Sequence, residues 1–79
     1  MLTKQQALNA LNGGKFIGFT TATGNILIKK VNKTDYNIYV YEEGNAEPAH
    51  YIGSVKNVLA TMNDKTANKD YQIVEDETK

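Results

Sequence analysis

Apolar and polar positions follow two rhythms along this chain. Near its start, Ala7, Leu8 and Leu11 recur at helical spacing on one stripe. Thr3 and Gln6 form a T-x-x-Q capping box, with Leu2 placed as a staple residue before it. Gly13-Gly14 then stops the run, one of the pair serving as a left-handed cap. The spacing predicts a helix over roughly 4–12.

From Lys15 onward the rhythm shortens to two. Lys15–Thr21, Asn25–Val31 and Tyr36–Glu42 read as strands, joined by a short glycine turn at Ala22-Thr23-Gly24 and by polar turn residues at Asn32-Lys33-Thr34-Asp35. A turn at Glu43-Gly44-Asn45 leads to Pro48 and a short strand over His50–Gly53, where proline suits an edge or a strand start. Val55, Val58, Leu59 and Met62 then fall at i, i+3, i+4 and i+7, predicting a second helix over about Ser54–Met62 with Ser54 as its cap. Asn63 to Asp70 is polar loop, and Tyr71–Val74 is a last short strand.

The order α-β-β-β-β-α-β predicts an α+β fold: a small, mainly antiparallel sheet of four to five strands with two helices packed on one face. Residues 1–74 are expected to form one domain, and 75–79 an acidic flexible tail. Alternation assigns the faces. Ile17, Phe19, Ile26, Ile28, Ile38 and Val40 belong under the helices, with Val58 and Leu59 expected in the same core. Phe16, Leu27, Asn37, Tyr39 and Tyr41 belong to the opposite face, which is too apolar to be a plain solvated one.

Length and composition set the bounds. At 79 residues the chain holds one small domain, and with no cysteine it has no disulfide or thiolate–metal staple. It lacks an 18-residue apolar run and the apolar core of a signal peptide, so no membrane association and a cytoplasmic location are expected. All nine basic residues are lysine, so no guanidinium fork can read phosphate or guanine in a bidentate manner. The abundance of Lys, Asn, Ile and Tyr, all with A/T-rich codons, fits a low-GC bacterium or its phages. A net charge of zero conceals a split: residues 1–33 carry five lysines and no acid, whereas 34–79 carry all nine acids and four lysines. Either the fold interleaves the halves, or it keeps a basic and an acidic patch able to steer a partner.

Side-chain chemistry argues for binding over catalysis. The densest carboxylates, Glu42-Glu43 and Glu75-Asp76-Glu77, lie at a turn and on the tail, unlike a shielded acid–base pair. His50 is the lone histidine and Ser54 the lone serine, which leaves neither a metal set nor a nucleophilic triad; no enzymatic activity, metal or cofactor is expected. Gly13-Gly14 follows a helix, whereas a nucleotide loop follows a strand. Lysines beside sheet aromatics can stack bases, so nucleic acid stays open as a partner. Four tyrosines, Tyr36, Tyr39, Tyr41 and Tyr51, fall within sixteen residues. They either shield the second face or form an interface, with Tyr39, Tyr41 and Tyr51 as contacts and Lys29, Lys30, Glu42 and Glu43 on the rim.

Both ends carry a resemblance. The opening L-T-K-Q-Q-A-L-N-A-L-N-G-G-K-F-I, residues 2–17, and the closing K-D-Y-Q-I-V-E-D, residues 69–76, are similar to segments of small phage-encoded anti-defence proteins, of the Thoeris anti-defence and anti-CRISPR kind. The tryptophan usual after the first strand in such proteins is absent, and no ligand residue carries over. The resemblance implies a small phage or prophage protein, without enzymatic activity, that binds and blocks a host protein in the bacterial cytoplasm. A sponge for a nucleotide signal, a nucleic-acid-binding module and a homodimer remain open alternatives.

Overall fold

Helix α1 spans Lys4–Asn12, strand β1 Phe16–Thr20, β2 Gly24–Lys30, β3 Tyr36–Glu42 and β4 Ala49–Gly53, followed by helix α2 at Val55–Met62 and strand β5 at Gln72–Val74. The structure, a computed structural model, describes residues 1–74, so the proposed tail at 75–79 lies outside the described residues. The five strands form one antiparallel sheet in the order β4-β3-β2-β1-β5. The α+β class and the order of elements are those that the sequence predicts.

Local chemistry sets the element ends. The Thr3 hydroxyl accepts from Gln6 N at 3.1 Å while the Gln6 side chain accepts from Thr3 N at 2.9 Å, which closes the capping box of α1. Gly14 takes the left-handed conformation after the helix, with φ +85°. Between β1 and β2 the turn rests on Thr21, whose hydroxyl accepts from Gly24 N at 3.1 Å. Between β2 and β3, Asn32 Oδ1 accepts from the backbone N–H groups of Thr34 and Asp35, each at 2.9 Å, forming an Asx turn.

Both helices lie on one face. Ala7 and Leu11 of α1 and Val58 and Met62 of α2 are buried with Ile17, Phe19, Ile26, Ile28, Tyr36 and Ile38 in one apolar cluster, with Val40 packed against it. Leu59 departs from expectation: it is only half-buried, and Val55 is 47% exposed. The cause is the link to β4. Only Ser54 separates Gly53 from the first turn of α2, and a Cβ at Gly53 would sit 2.8 Å from Asn57 Cβ. The helix therefore starts over the sheet edge, and Val58 and Met62 are the positions that reach the core.

The loop after α2 is tied to the end of β1. Thr20 donates its backbone N–H and its hydroxyl to the two oxygens of Asp70, both at 2.8 Å. Asn68 N donates to Thr20 O at 2.9 Å, and Ala22 N to Thr66 O at 3.1 Å. These bonds bring Tyr71 into the core, where its ring meets Phe19 edge-on with centroids 5.4 Å apart and its hydroxyl donates to Met62 O at 3.2 Å. The tied loop delivers β5 to the free side of β1, a pairing between strands far apart in sequence.

Candidate functional site

With both helices on one side, the other face of the sheet has no helix over it among the described residues. Register places its side chains in rows: Gly18 beside Leu27, Leu27 beside Tyr39, Tyr39 beside His50, and in the neighbouring rows Asn25 beside Tyr41 and Lys29 beside Asn37. Toward its β4 edge the His50 and Tyr39 rings stack with centroids 4.7 Å apart and planes 13° from parallel. His50 Nε2 is hydrogen-bonded to Asn37 Oδ1 at 2.8 Å, which fixes the imidazole over the phenol. Tyr41 is 37% exposed. Toward β1, Lys29 Nζ sits 5.0 Å from the centroid of the Phe16 ring.

The face carries a groove of about 370 Å³ over Gly18, walled by Asn25, Leu27, Glu43, Gln72 and Val74. Gly18 makes this hollow. A Cβ there would lie 2.8 Å from Val74 Cγ2 and 3.1 Å from Leu27 Cδ2, so a larger residue would fill the space between them.

The seven residues proposed from sequence divide between the two faces. Tyr39, Tyr41 and Lys29 share the open face, and Glu43 stands at its end beside the groove. Tyr51 does not join them. It pairs with the core residue Ile38, so its ring lies on the helix side, 57% exposed. Lys30 is also on the helix side: it pairs with buried Tyr36 and its Nζ donates to Asn12 Oδ1 of α1 at 3.2 Å. Glu42 follows the same parity and lines a hollow with Thr61, Asp64 and Thr66. The tyrosine cluster of the sequence is therefore split, with Tyr36 and Tyr51 on one face and Tyr39 and Tyr41 on the other, because the register across the β3–β4 loop sets Tyr51 against Ile38. His50, read from sequence as an ordinary strand residue, takes the place beside Tyr39.

Folding retains the charge split in part. Lys15, Lys29, Lys30 and Lys33 gather where β1 begins and β2 ends, with Asp35 among them; Glu42, Glu43, Glu47, Asp64 and Asp70 gather at the opposite end of the sheet, with Lys65, Lys69 and Lys4, whose Nζ donates to Asn63 Oδ1 beside Asp64. The open face thus runs from a basic end at Lys29 to an acidic end at Glu43. Two carboxylates at the acidic end are favoured in the charged form by hydrogen bonds. Thr20 holds the Asp70 carboxyl below its ordinary value of 3.8 by backbone and hydroxyl hydrogen bonds, and Thr66 does the same for Asp64.

Among the described residues, no group of three or more His, Cys, Asp or Glu is placed to hold a metal ion, and no helix is long and apolar enough to cross a membrane. Compared with known protein families, curated proteins and solved structures, the chain matches none.

Proposed function

We propose that this chain is a non-enzymatic binding protein that engages another protein stoichiometrically through its open sheet face, in the manner of a phage- or prophage-encoded inhibitor of a host factor. The observation that carries this reading is the Tyr39–His50–Asn37 unit: a ring stacked at 4.7 Å and held by a 2.8 Å hydrogen bond on a face without a covering helix. A tyrosine already fixed by its neighbours loses little side-chain freedom on docking, and this is what makes aromatic anchors effective. Tyr41 and Leu27 extend the contact area, and Lys29 and Glu43 supply charges of opposite sign at its two ends. A partner surface with an acidic group facing Lys29 and a basic group facing Glu43 is favoured on approach, and the reverse orientation is disfavoured.

The groove over Gly18 supports a second reading, a small ligand held between Asn25, Leu27 and Gln72. The two readings separate in one experiment. Tagged protein is used to capture partners from the lysate of a low-GC bacterium, with identification by mass spectrometry, and the purified protein is melted with and without nucleotides. The protein-binding reading expects specific capture that Tyr39→Ala with Tyr41→Ala removes, and no thermal shift. A rise of several degrees with a nucleotide, and no face-dependent capture, would establish the ligand reading in its place.

A further inference from the structure

The sheet ends in two unlike edges. β5 is three residues long, and shortness is one way in which natural sheets blunt an edge. β4 is five residues, Ala49–Gly53, reading A-H-Y-I-G. It carries no charged residue and no proline, and Ala49, His50, Tyr51 and Ile52 are all exposed, Ile52 at 67%. Within these five residues no charge, proline or bulge blocks pairing at the outer edge.

We infer that β4 is the self-association edge of this protein, pairing antiparallel with β4 of a second copy about a two-fold axis through Tyr51. Symmetry and register select this arrangement. A two-fold antiparallel pair keeps each side chain on the same face as its opposite, so only registers centred on a residue are allowed. Centred on Tyr51, all five residues pair: Ala49 with Gly53, His50 with Ile52 and Tyr51 with itself. Centred on His50, the register sets Pro48, which has no N–H, opposite Ile52; centred on Ile52, it runs into Ser54 and the start of α2. A strand lying across its own copy must avoid like charges near the axis, and β4 has none to oppose.

Charge complementarity beyond the strand names the occupant as a second copy. Beyond the ladder, the antiparallel two-fold brings the segment before β4 of one copy, which carries Glu47, toward the segment after β4 of the other, the first turn of α2 with Lys56. That turn contains no acidic residue of its own. Glu47 is thereby brought toward both a lysine and the positive end of a helix, and the two-fold axis repeats the approach. On the helix side, two Tyr51 rings meet at the axis above the hollows of about 340 Å³ between β4 and α2, where Ile38, Val40 and Ala60 form the apolar wall. The joined sheet has ten strands, and the open faces of the two copies become continuous.

The experiment is sedimentation equilibrium of the full chain at low micromolar to about 100 μM, a range that resolves a micromolar association. The parent is expected as a dimer at the upper end. Tyr51→Lys and Tyr51→Glu each place like charges at the axis and are expected to be monomers, while their equimolar mixture regains the dimer. A parent that stays monomeric overturns the proposal, as does a charged variant that still dimerises alone or a mixture that does not. Circular dichroism checks each variant. A second readout needs no substitution: hydrogen exchange of the β4 amides in the parent slows several-fold from low to high concentration if they pair, and a rate independent of concentration overturns the proposal. Neither measurement involves a host partner, so its outcome is separate from that of the open-face reading.

Discussion

His50 and Tyr39 stand directly opposite each other on β4 and β3, and their rings stack face to face on the side of the sheet away from both helices. One strand supplies the anchor and the next supplies its support. On the proposed open-face reading, His50 positions the Tyr39 ring. His50→Ala is expected to keep the fold, since the residue is exposed, and to weaken partner capture less than Tyr39→Ala does. His50→Phe, which keeps a ring over Tyr39, should recover more of the capture than His50→Ala. Equal losses for the two His50 variants would show that stacking is not its contribution.

Stability should separate two neighbouring positions of α2. Met62 is fully buried in the core and Leu59 is only half-buried. Met62→Ala is expected to cost about 2–5 kcal/mol, and Leu59→Ala about 1 kcal/mol or less, measured by urea unfolding. The reverse ranking would mean that α2 is rotated about its axis relative to the structure.

Two glycines differ in what surrounds them. A Cβ on Gly24 would collide with the carbonyl oxygen of Tyr41, which belongs to the β2–β3 ladder and cannot retreat without breaking it. A Cβ on Gly18 comes closest to side-chain carbons of Val74 and Leu27, with the Ile26 carbonyl oxygen at an ordinary 3.7 Å. Gly24→Ala should therefore destabilise more than Gly18→Ala, which is expected to cost about 1–3 kcal/mol by overpacking. Thermal melts of the two variants check the order, and Gly18→Ala should also reduce any binding that uses the groove.

Acid should loosen the loop tied to β1 first. The folded Asp70 carboxyl ionises below its ordinary value of 3.8, so it stabilises the fold above that pH and loses this contribution as pH falls through its folded value. Asp70→Asn is expected to lower stability at neutral pH by about 1–3 kcal/mol, the scale of hydrogen bonds to a charged group, and to flatten the decline below pH 4. The Tyr71 hydroxyl behaves oppositely. Burial raises it above 10.0, so the fold favours the neutral phenol and stability falls as pH rises past that value. Unfolding curves from pH 2 to pH 11 of the parent, Asp70→Asn and Tyr71→Phe test both signs.

Much of the fold is legible from local chemistry. Thr3 and Gln6 mark the start of α1, and strict alternation through Ile26, Ile28, Ile38 and Val40 assigns the core face, because each of these cues acts within a few residues. The same parity separates Tyr39 and Tyr41 from the core. The side taken by Tyr51 is a different kind of fact. It depends on the register that the loop between Glu43 and Pro48 imposes on β4, and a shift of one residue would exchange Tyr51 for His50. The Thr20–Asp70 bonds and the β1–β5 pairing join positions about fifty residues apart, where no periodic pattern connects the partners. Leu59 looks like core because its spacing is right, but the short link at Gly53-Ser54 aims the helix so that Met62 lies deeper.

The most direct test of the open-face account is the affinity of a captured partner for the parent and for the double variant Tyr39→Ala with Tyr41→Ala, measured by calorimetry after circular dichroism confirms the fold. Loss of two anchors is expected to weaken binding at least about 30-fold, since one such anchor contributes about 2 kcal/mol or more. A control change at Lys65, on the loop away from this face, should leave affinity within about twofold. A folded double variant that binds as tightly as the parent would contradict the account and move the interface off the Tyr39–His50 face.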